Sequence, residues 1–414
     1  MDFNDTPEEA TFRTEVRTWL DENAPKHLLP FLDGSTISKA DPEEFDYLAE
    51  CKKWRKKKFN AGWTCLGWEK DSGGRDLPPI MRVIWGQEEG VYSLLNGLFT
   101  IGEGMCGPTM AAYATDEQKK QYLPKLASGE EIWCQMFSEP AAGSDLAGLR
   151  MRSMKEGDEW TINGQKIWTS GAHYSDWGLL ITRSDPTVPK HMGLTMFFVD
   201  MKSPGIEIRP IKQANEDKAF NEVYFTDVKI PDAQRLGGVG DGWGVALTTL
   251  MNERLSIGGS MSSGFPEYLK LVDASTVNGK PAADDRAVRE RIAELHCRHN
   301  GLKYTSARLT SAYSQGRTPG PEASIGKLVA GSMRQDISIA ALELQGTAGL
   351  VNDPEHSDMA ATFQAMLLRS PATRIEGGSD EILRNIIAER VLGLPSDIRV
   401  DKSVPFNDIP TGEV

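Results

Sequence analysis

Met136-Phe-Ser-Glu-Pro-Ala-Ala-Gly-Ser-Asp-Leu-Ala-Gly148, followed by Trp160-Thr-Ile162, Asn163-Gly164 and Gln165-Lys-Ile-Trp-Thr-Ser-Gly171, is the stretch from which the rest of the chain is read. Its small residues leave backbone N–H groups around Pro140, Gly143 and Ser144 open to a polar ligand. Trp160-Thr-Ile162 and Lys166-Ile-Trp-Thr169, on either side of Asn163-Gly164, predict strand, type I′ turn and strand. On residue type alone this is a small-residue loop beside an aromatic hairpin, and an ordinary β-rich surface is the favoured account of it.

The 414 residues, 39% hydrophobic, are enough to bury a large core and predict two or three domains or one subdivided unit. A net charge of -13 argues against a nucleic-acid groove. It also means that any nucleotide site must gather basic or N–H groups locally. The five cysteines, at 51, 65, 106, 134 and 297, are odd in number and contain no Cys-x-x-Cys pair, as in a reducing compartment. The acidic start Met-Asp-Phe-Asn-Asp lacks the basic region of a signal peptide, and no apolar run reaches membrane-spanning length. A soluble, cytoplasmic protein without membrane insertion is expected.

Thr6-Pro-Glu-Glu9 is a capping box with proline at the first helical position, and Phe12, Val16, Trp19 and Leu20 then share one face. Asp41-Pro-Glu-Glu44 repeats the start signal, the basic run Lys52 to Lys58 is expected as a solvated face, and Thr115-Asp-Glu-Gln118 opens another helix. Residues 1–130 therefore read as a helical domain. Residues 131–236 change to period two, with strands at Leu194–Val199, Ile206–Ile211 and Val223–Phe225, and read as a domain of short antiparallel strands. Gly237-Gly-Val-Gly-Asp-Gly242 lacks the Lys-Ser/Thr of a phosphate-binding loop and reads as an interdomain turn. In residues 237–414 helices return: Val288, Ile292, Leu295, His299 and Leu302 form a stripe, one helix is expected near Ala323–Gln345 and a last one at Asp380–Leu392.

Two motifs carry little weight. Gly102-Glu-Gly-Met-Cys-Gly107 matches a dinucleotide fingerprint, but Pro108 follows and no βαβ unit surrounds it. His296 and His299 lack a carboxylate at metalloprotease spacing, so no metal site is expected there. No Gly-x-Ser-x-Gly elbow occurs, which removes the usual signal for a serine hydrolase.

The opening stretch resembles the flavin loop of the acyl-CoA dehydrogenases, FAD-dependent enzymes that desaturate acyl-CoA thioesters between Cα and Cβ. Further landmarks follow in family order: Thr6-Pro-Glu-Glu9 with Arg17-Thr-Trp-Leu20, Gly62-Trp63 through Gly73-Gly-Arg75, Glu222 to Pro231, Glu376-Gly-Gly-Ser-Asp-Glu-Ile382 and Ala388 to Pro395. The resemblance implies an α+β fold with an N-terminal helical domain, a middle antiparallel β-domain and a C-terminal four-helix bundle. It implies that Phe137 and Ser138 line the flavin ring, that Trp168 covers one face with Thr169 beside it, and that Ser170 meets the reactive edge. Ser144 matches the serine facing CoA, and Ser379 and Glu381 match cofactor contacts at the closing helix.

Desaturation needs a base, a hydride acceptor and donors for the thioester oxygen. In the medium-chain pattern the base precedes the Gly of the closing loop, and that place is Gly377 here, whose N–H remains for the thioester oxygen. Glu376 comes one residue early. The isovaleryl and long-chain pattern instead has a glutamate directly before an arginine, and Glu253-Arg254 fits it, with Glu253 as base and Arg254 ordering the substrate region. The sequence departs from the family at Ser275-Thr-Val-Asn-Gly279, where Arg-x-x-Phe-Gly is usual, and at Glu343, where glutamine is usual. The implied partners are an acyl-CoA substrate, electron-transfer flavoprotein or a similar acceptor, and other copies in a homotetramer or homodimer. A heterotetramer with a related subunit, in which this chain is a partner rather than the catalyst, and an acyl-CoA oxidase of the same fold are the alternatives.

Overall fold

In the computed structural model, residues 4–32, 45–257, 263–316 and 320–410 are described, with 254–257 and 313 by backbone alone. The start signal at Asp41–Glu44 lies outside them. The chain divides into a helical unit, residues 1–47, 78–94 and 257–395, and a sheet unit, residues 48–77, 95–256 and 396–414.

The predicted caps form. Helix α1 (Pro7–Asn23) starts at Thr6, whose hydroxyl accepts from Glu9 N while the Glu9 carboxylate accepts from Thr6 N, and it buries Phe12, Val16 and Leu20. The basic run behaves differently from the expectation. In α2 (Tyr47–Asn60) Arg55 and Lys58, one turn apart, point inward and are buried. Arg55 donates to Ala127 O at 2.8 Å and pairs with Glu103, and Lys58 donates to Asn96 Oδ1. The pattern of charges gave no sign of this because the acceptors come from distant segments. Helix α3 (Pro79–Glu89) follows. The Gly102–Cys106 segment is a π-helical turn leading into α4 (Gly107–Tyr113). A Cβ at Gly107 would lie 2.1 Å from the Trp68 ring, so this glycine serves close packing and not a nucleotide. Helix α5 (Asp116–Ser128) begins with the Thr115–Gln118 capping box.

The sheet has eight strands: β1 (Trp133–Met136), β2 (Arg152–Glu156), β3 (Glu159–Ser170), β4 (Trp177–Arg183), β5 (Leu194–Asp200), β6 (Ile206–Pro210), β7 (Phe220–Pro231) and β8 (Arg235–Leu236). Their order is β6-β7-β3-β2-β4-β5-β8, with β1 beside β4. Not every pair is antiparallel: β1 and β2 both run parallel to β4, because the β2–β3 hairpin reverses the chain and the next crossing restores its direction. Nor do Asn163-Gly164 turn the chain. The turn is at Gly157-Asp158, and β3 runs through Asn163-Gly164 with a register shift against β7. Asn163 brackets the left-handed Asp227 there, donating to its carboxylate at 3.0 Å and accepting from its N–H at 2.9 Å. A bulge thus satisfies the same asparagine and glycine that a tight turn would use.

Asp232 ties three of these strands, accepting from Trp160 Nε1 at 2.6 Å and Arg235 Nε at 2.9 Å and pairing with Lys155 at 3.1 Å. The Arg235 guanidinium, then the Trp160 indole, hold its carboxyl well below the usual carboxylate range. Because the folded value is the depressed one, the stabilisation is complete above the unfolded value near about 3.9 and is lost as pH falls through the folded value. Asp232→Asn should lower the melting temperature at neutral pH and flatten its fall below about pH 4. An acid limb identical to that of the parent protein would refute this.

Helix α6 (Gly242–Ile257) follows the glycine-rich turn. In the helical unit come α7 (Phe265–Ala274), β9 (Thr276–Val277), β10 (Lys280–Pro281), α8 (Arg286–Ser314), α9 (Ser324–Gln345), α10 (Thr362–Thr373) and α11 (Asp380–Ile386). Helices α7 to α10 pack around Leu271, Leu295, Met333, Ile337, Ala341 and Phe363. His299 contacts Ser263 at 3.1 Å and stacks near Phe265, while His296 bonds Asn300. His299 is a partly buried packing residue and His296 lies at the surface, and no metal-ligand cluster occurs among the described residues.

Candidate active site

The loop after β1 is shaped from beneath by buried cations. Glu139 and Ala142 exchange backbone hydrogen bonds at 2.9 and 3.0 Å, closing a tight turn over Pro140 and Ala141. The Glu139 carboxylate turns inward, accepting from Lys166 Nζ at 2.8 Å and from the N–H groups of Arg150 and Met151 at 2.6 and 3.1 Å. Lys166 also donates to Phe137 O at 3.0 Å. Burial pulls the Lys166 ammonium below its ordinary value, and Glu139 beside it opposes that pull. Arg183 donates to the carbonyls of Ala147, Leu149 and Lys190 at 2.5, 3.0 and 3.1 Å. Ser144 is exposed, and a Cβ at Gly143 would meet nothing within 4 Å, so the outer side of the turn is open.

Phe137 is buried in the core, whereas Ser138 is half-buried and its carbonyl accepts from Ile167 N at 2.9 Å. That bond joins the loop to the end of β3. There Lys166 pairs with Val223 and Thr169 with Asn221, leaving one extra residue on β3. Trp168 occupies the bulge with φ +59°, half of its side chain exposed, edge-on to Phe220 at 6.0 Å. A left-handed backbone at an aromatic residue is uncommon and costs of order 1 kcal/mol. Next to it, the Thr169 hydroxyl is buried without a hydrogen-bond partner among the described residues, and Ser170 is half-buried. An exposed indole, an unsatisfied hydroxyl and a serine at one strand end fit a planar, polar-edged cofactor such as a flavin.

On α6, Val245 and Thr249 are buried and Glu253, one turn further, is half-buried on the same face. Thr249 meets Thr109 of α4 at 2.9 Å. Glu253 Oε2 accepts from Gln135 Nε2 at 3.2 Å, and Gln135 Oε1 is buried with no partner among the described residues. Sequence reading missed Gln135, whose only signal is a polar residue inside the apolar run Trp133-Cys-Gln-Met136. The Arg254 side chain lies outside the described residues.

In the helical unit, the closing loop turns on Gly377 and Gly378, at φ +63° and +97°. Ser379 caps α11, accepting from Ile382 N, and Glu381 is exposed in the first turn. Its own N–H and the Ser379 hydroxyl draw the Glu381 carboxyl down. Lys327 donates to Gly378 O at 2.5 Å, and Arg374 pairs with the buried Asp380 at 2.8 Å. Glu376, the early carboxylate, is engaged by Arg369 at 2.7 Å. The segment Ser275–Gly279 is the strand-turn part of the β9–β10 hairpin, with Asn278 and Gly279 at φ +52° and +74°. Glu343 is exposed on α9.

The small-residue loop, the aromatic bulge at Trp168 and the half-buried helical Glu253 all lie in the sheet unit of an α-β-α chain. Models of the acyl-CoA dehydrogenase N-terminal, middle and C-terminal domains match residues 6–130, 134–228 and 240–392. The acyl-CoA dehydrogenase IpdE1 of Mycolicibacterium smegmatis is 37% identical over 399 residues, 94% of this chain and 98% of that one. Two solved structures are similar: the ChsE4-ChsE5 complex from Mycobacterium tuberculosis, with TM-score 0.79, 26% identity and coverage of 96% of this chain and 100% of that one, and the Tcur3481-Tcur3483 steroid ACAD, with TM-score 0.79, 25% identity and the same coverage. The chain belongs to the acyl-CoA dehydrogenase family and has its three-domain fold. No helix among the described residues is long and apolar enough to cross a membrane.

Proposed function

We propose that the chain is an FAD-dependent dehydrogenase that converts an acyl-CoA thioester to the trans-2-enoyl-CoA, with Glu253 as base, within domains at 1–130, 131–236 and 237–414. The observation that carries the reading is Glu253 itself: a half-buried carboxylate on a helix face, oriented by the Gln135 amide, in the unit that also holds the Trp168 bulge. FAD, when bound, supplies the hydride acceptor that no side chain offers. Phe137, Ser138, Trp168, Thr169 and Ser170 would hold it, and the family resemblance makes Ser379 and Glu381 further cofactor contacts. Glu253 takes the α proton onto its carboxylate, the Gly377 N–H serves the thioester oxygen, Ser144 meets the CoA moiety and Arg254 orders the substrate region. Electron-transfer flavoprotein or a similar acceptor reoxidises the protein, in the cytoplasm.

The hairpin at Ser275–Gly279 and the exposed Glu343 favour a second reading of the assembly, in which a related subunit completes the FAD site of a heterotetramer. The complex and the steroid enzyme among the similar structures support it, and with it a steroid-derived acyl group. Purified protein, alone and co-expressed with a related subunit, should be tested for bound-flavin absorbance. Each form should then be given straight-chain, branched and steroid-derived acyl-CoA thioesters with an artificial acceptor. Peroxide formation would point to an oxidase, and no enoyl product from any form would overturn the proposal. Ser275→Arg with Glu343→Gln should strengthen flavin retention about ten- to a hundredfold, the value of one charge-assisted hydrogen bond. Unchanged retention in the folded variant would count against the role of those positions.

A further inference from the structure

Residues 396–410 return to the sheet unit and lie against the β4–β5 connection. Phe406 N donates to Val188 O at 2.9 Å, Asn407 N to Pro186 O at 3.0 Å, and Pro189 and Pro405 form a bridge. Two side chains of this strap reach the cations beneath the small-residue loop. Asp401 Oδ2 accepts from Lys190 Nζ at 2.5 Å, and the same buried ammonium donates to both oxygens of Asp145, next to Ser144, at 2.7 and 2.8 Å. The Phe406 ring stacks on the Arg183 guanidinium at 3.6 Å. Arg183 is the residue whose N–H groups hold the carbonyls of Ala147 and Leu149.

We propose that the strap, through Asp401 and Phe406, is a positioning element for the acyl-CoA: it fixes Lys190 and Arg183, which fix the backbone that presents Ser144. The proposal rests on the reading that Ser144 faces CoA. Its physical basis is that a long, rotamer-rich lysine or arginine holds a loop only if its own position is fixed. With Asp401 present, Lys190 is tied between strap and loop. Without it, the ammonium keeps only Asp145, whose side chain is more than half exposed, and the loop's tie through Lys190 slackens while those through Arg183 and Lys166 remain. Phe406 acts likewise, covering one face of a guanidinium whose Nε, Nη1 and Nη2 each donate to a carbonyl.

The test uses the full-length protein with its flavin, in the subunit form that turns over. Asp401→Asn and Phe406→Leu should each raise KM for the acyl-CoA about three- to tenfold, part of the loss expected for a hydrogen bond to a charged group, with kcat within about twofold of the parent. Asp401→Glu should restore KM. The N-acetylcysteamine thioester of the same acyl group lacks the nucleotide, and its KM should not move. Equal losses on both thioesters, a fall in kcat alone, or no change on either would overturn the proposal. Hydrogen exchange without substrate separates its failure from that of the dehydrogenase reading. Faster exchange at residues 143–149 in the variants supports the coupling of strap to loop even if no form turns over acyl-CoA, and unchanged exchange overturns it.

Discussion

Glu253→Gln is expected to lower turnover by about 10²–10⁴-fold, the range for removal of a general base, with bound flavin and thioester affinity retained. The amide keeps the size of the side chain and still offers an oxygen to Gln135 Nε2, which now stands 3.2 Å from the carboxylate. Packing on this face of α6 comes from Val245 and Thr249 and is untouched. The contrast is Glu376→Gln. That carboxylate is already committed to Arg369 at 2.7 Å and precedes two glycines in left-handed backbone, so it should cost far less turnover. Stopped-flow reduction of the flavin by acyl-CoA measures the step directly. If Glu376→Gln abolished reduction while Glu253→Gln reduced at the parental rate, the base would be Glu376.

What the sequence made legible was governed by short-range chemistry. The capping boxes at Thr6 and Thr115 need only four consecutive residues, and both form as read. The stripe from Val288 to Leu302 needs only helical period, and Leu295 sits at its buried centre. Features that depend on partners far along the chain were misread or missed. Asn163-Gly164 is a turn by local preference, but pairing with β7 converts it to a bulge, and Gly157-Asp158 makes the turn instead. Arg55 and Lys58 look like solvent charges until Glu103, Ala127 and Asn96 arrive from up to 72 residues away. In the candidate site, Ser138 and Trp168 were singled out through resemblance, and the structure brings them to one strand end. The scaffold of Lys166, Arg183, Lys190 and the strap was not, because each cation is isolated in sequence from what it binds.

Lys166→Met should be the most damaging single change in the loop's support, destabilising the sheet unit by about 3–5 kcal/mol, as for breaking a buried pair by removing one partner. Methionine fills the space, so the loss is electrostatic: Glu139, buried, keeps only the N–H groups of Arg150 and Met151. Phe137 O loses its Lys166 donor as well. Adding Glu139→Gln should recover much of the loss, because the buried charge is gone and the amide can still accept from the two N–H groups. Denaturant midpoints of the four proteins at neutral pH form the cycle. A Lys166→Met protein within about 1 kcal/mol of the parent, small against the range expected for breaking a buried pair, would show that the loop holds its shape without the pair.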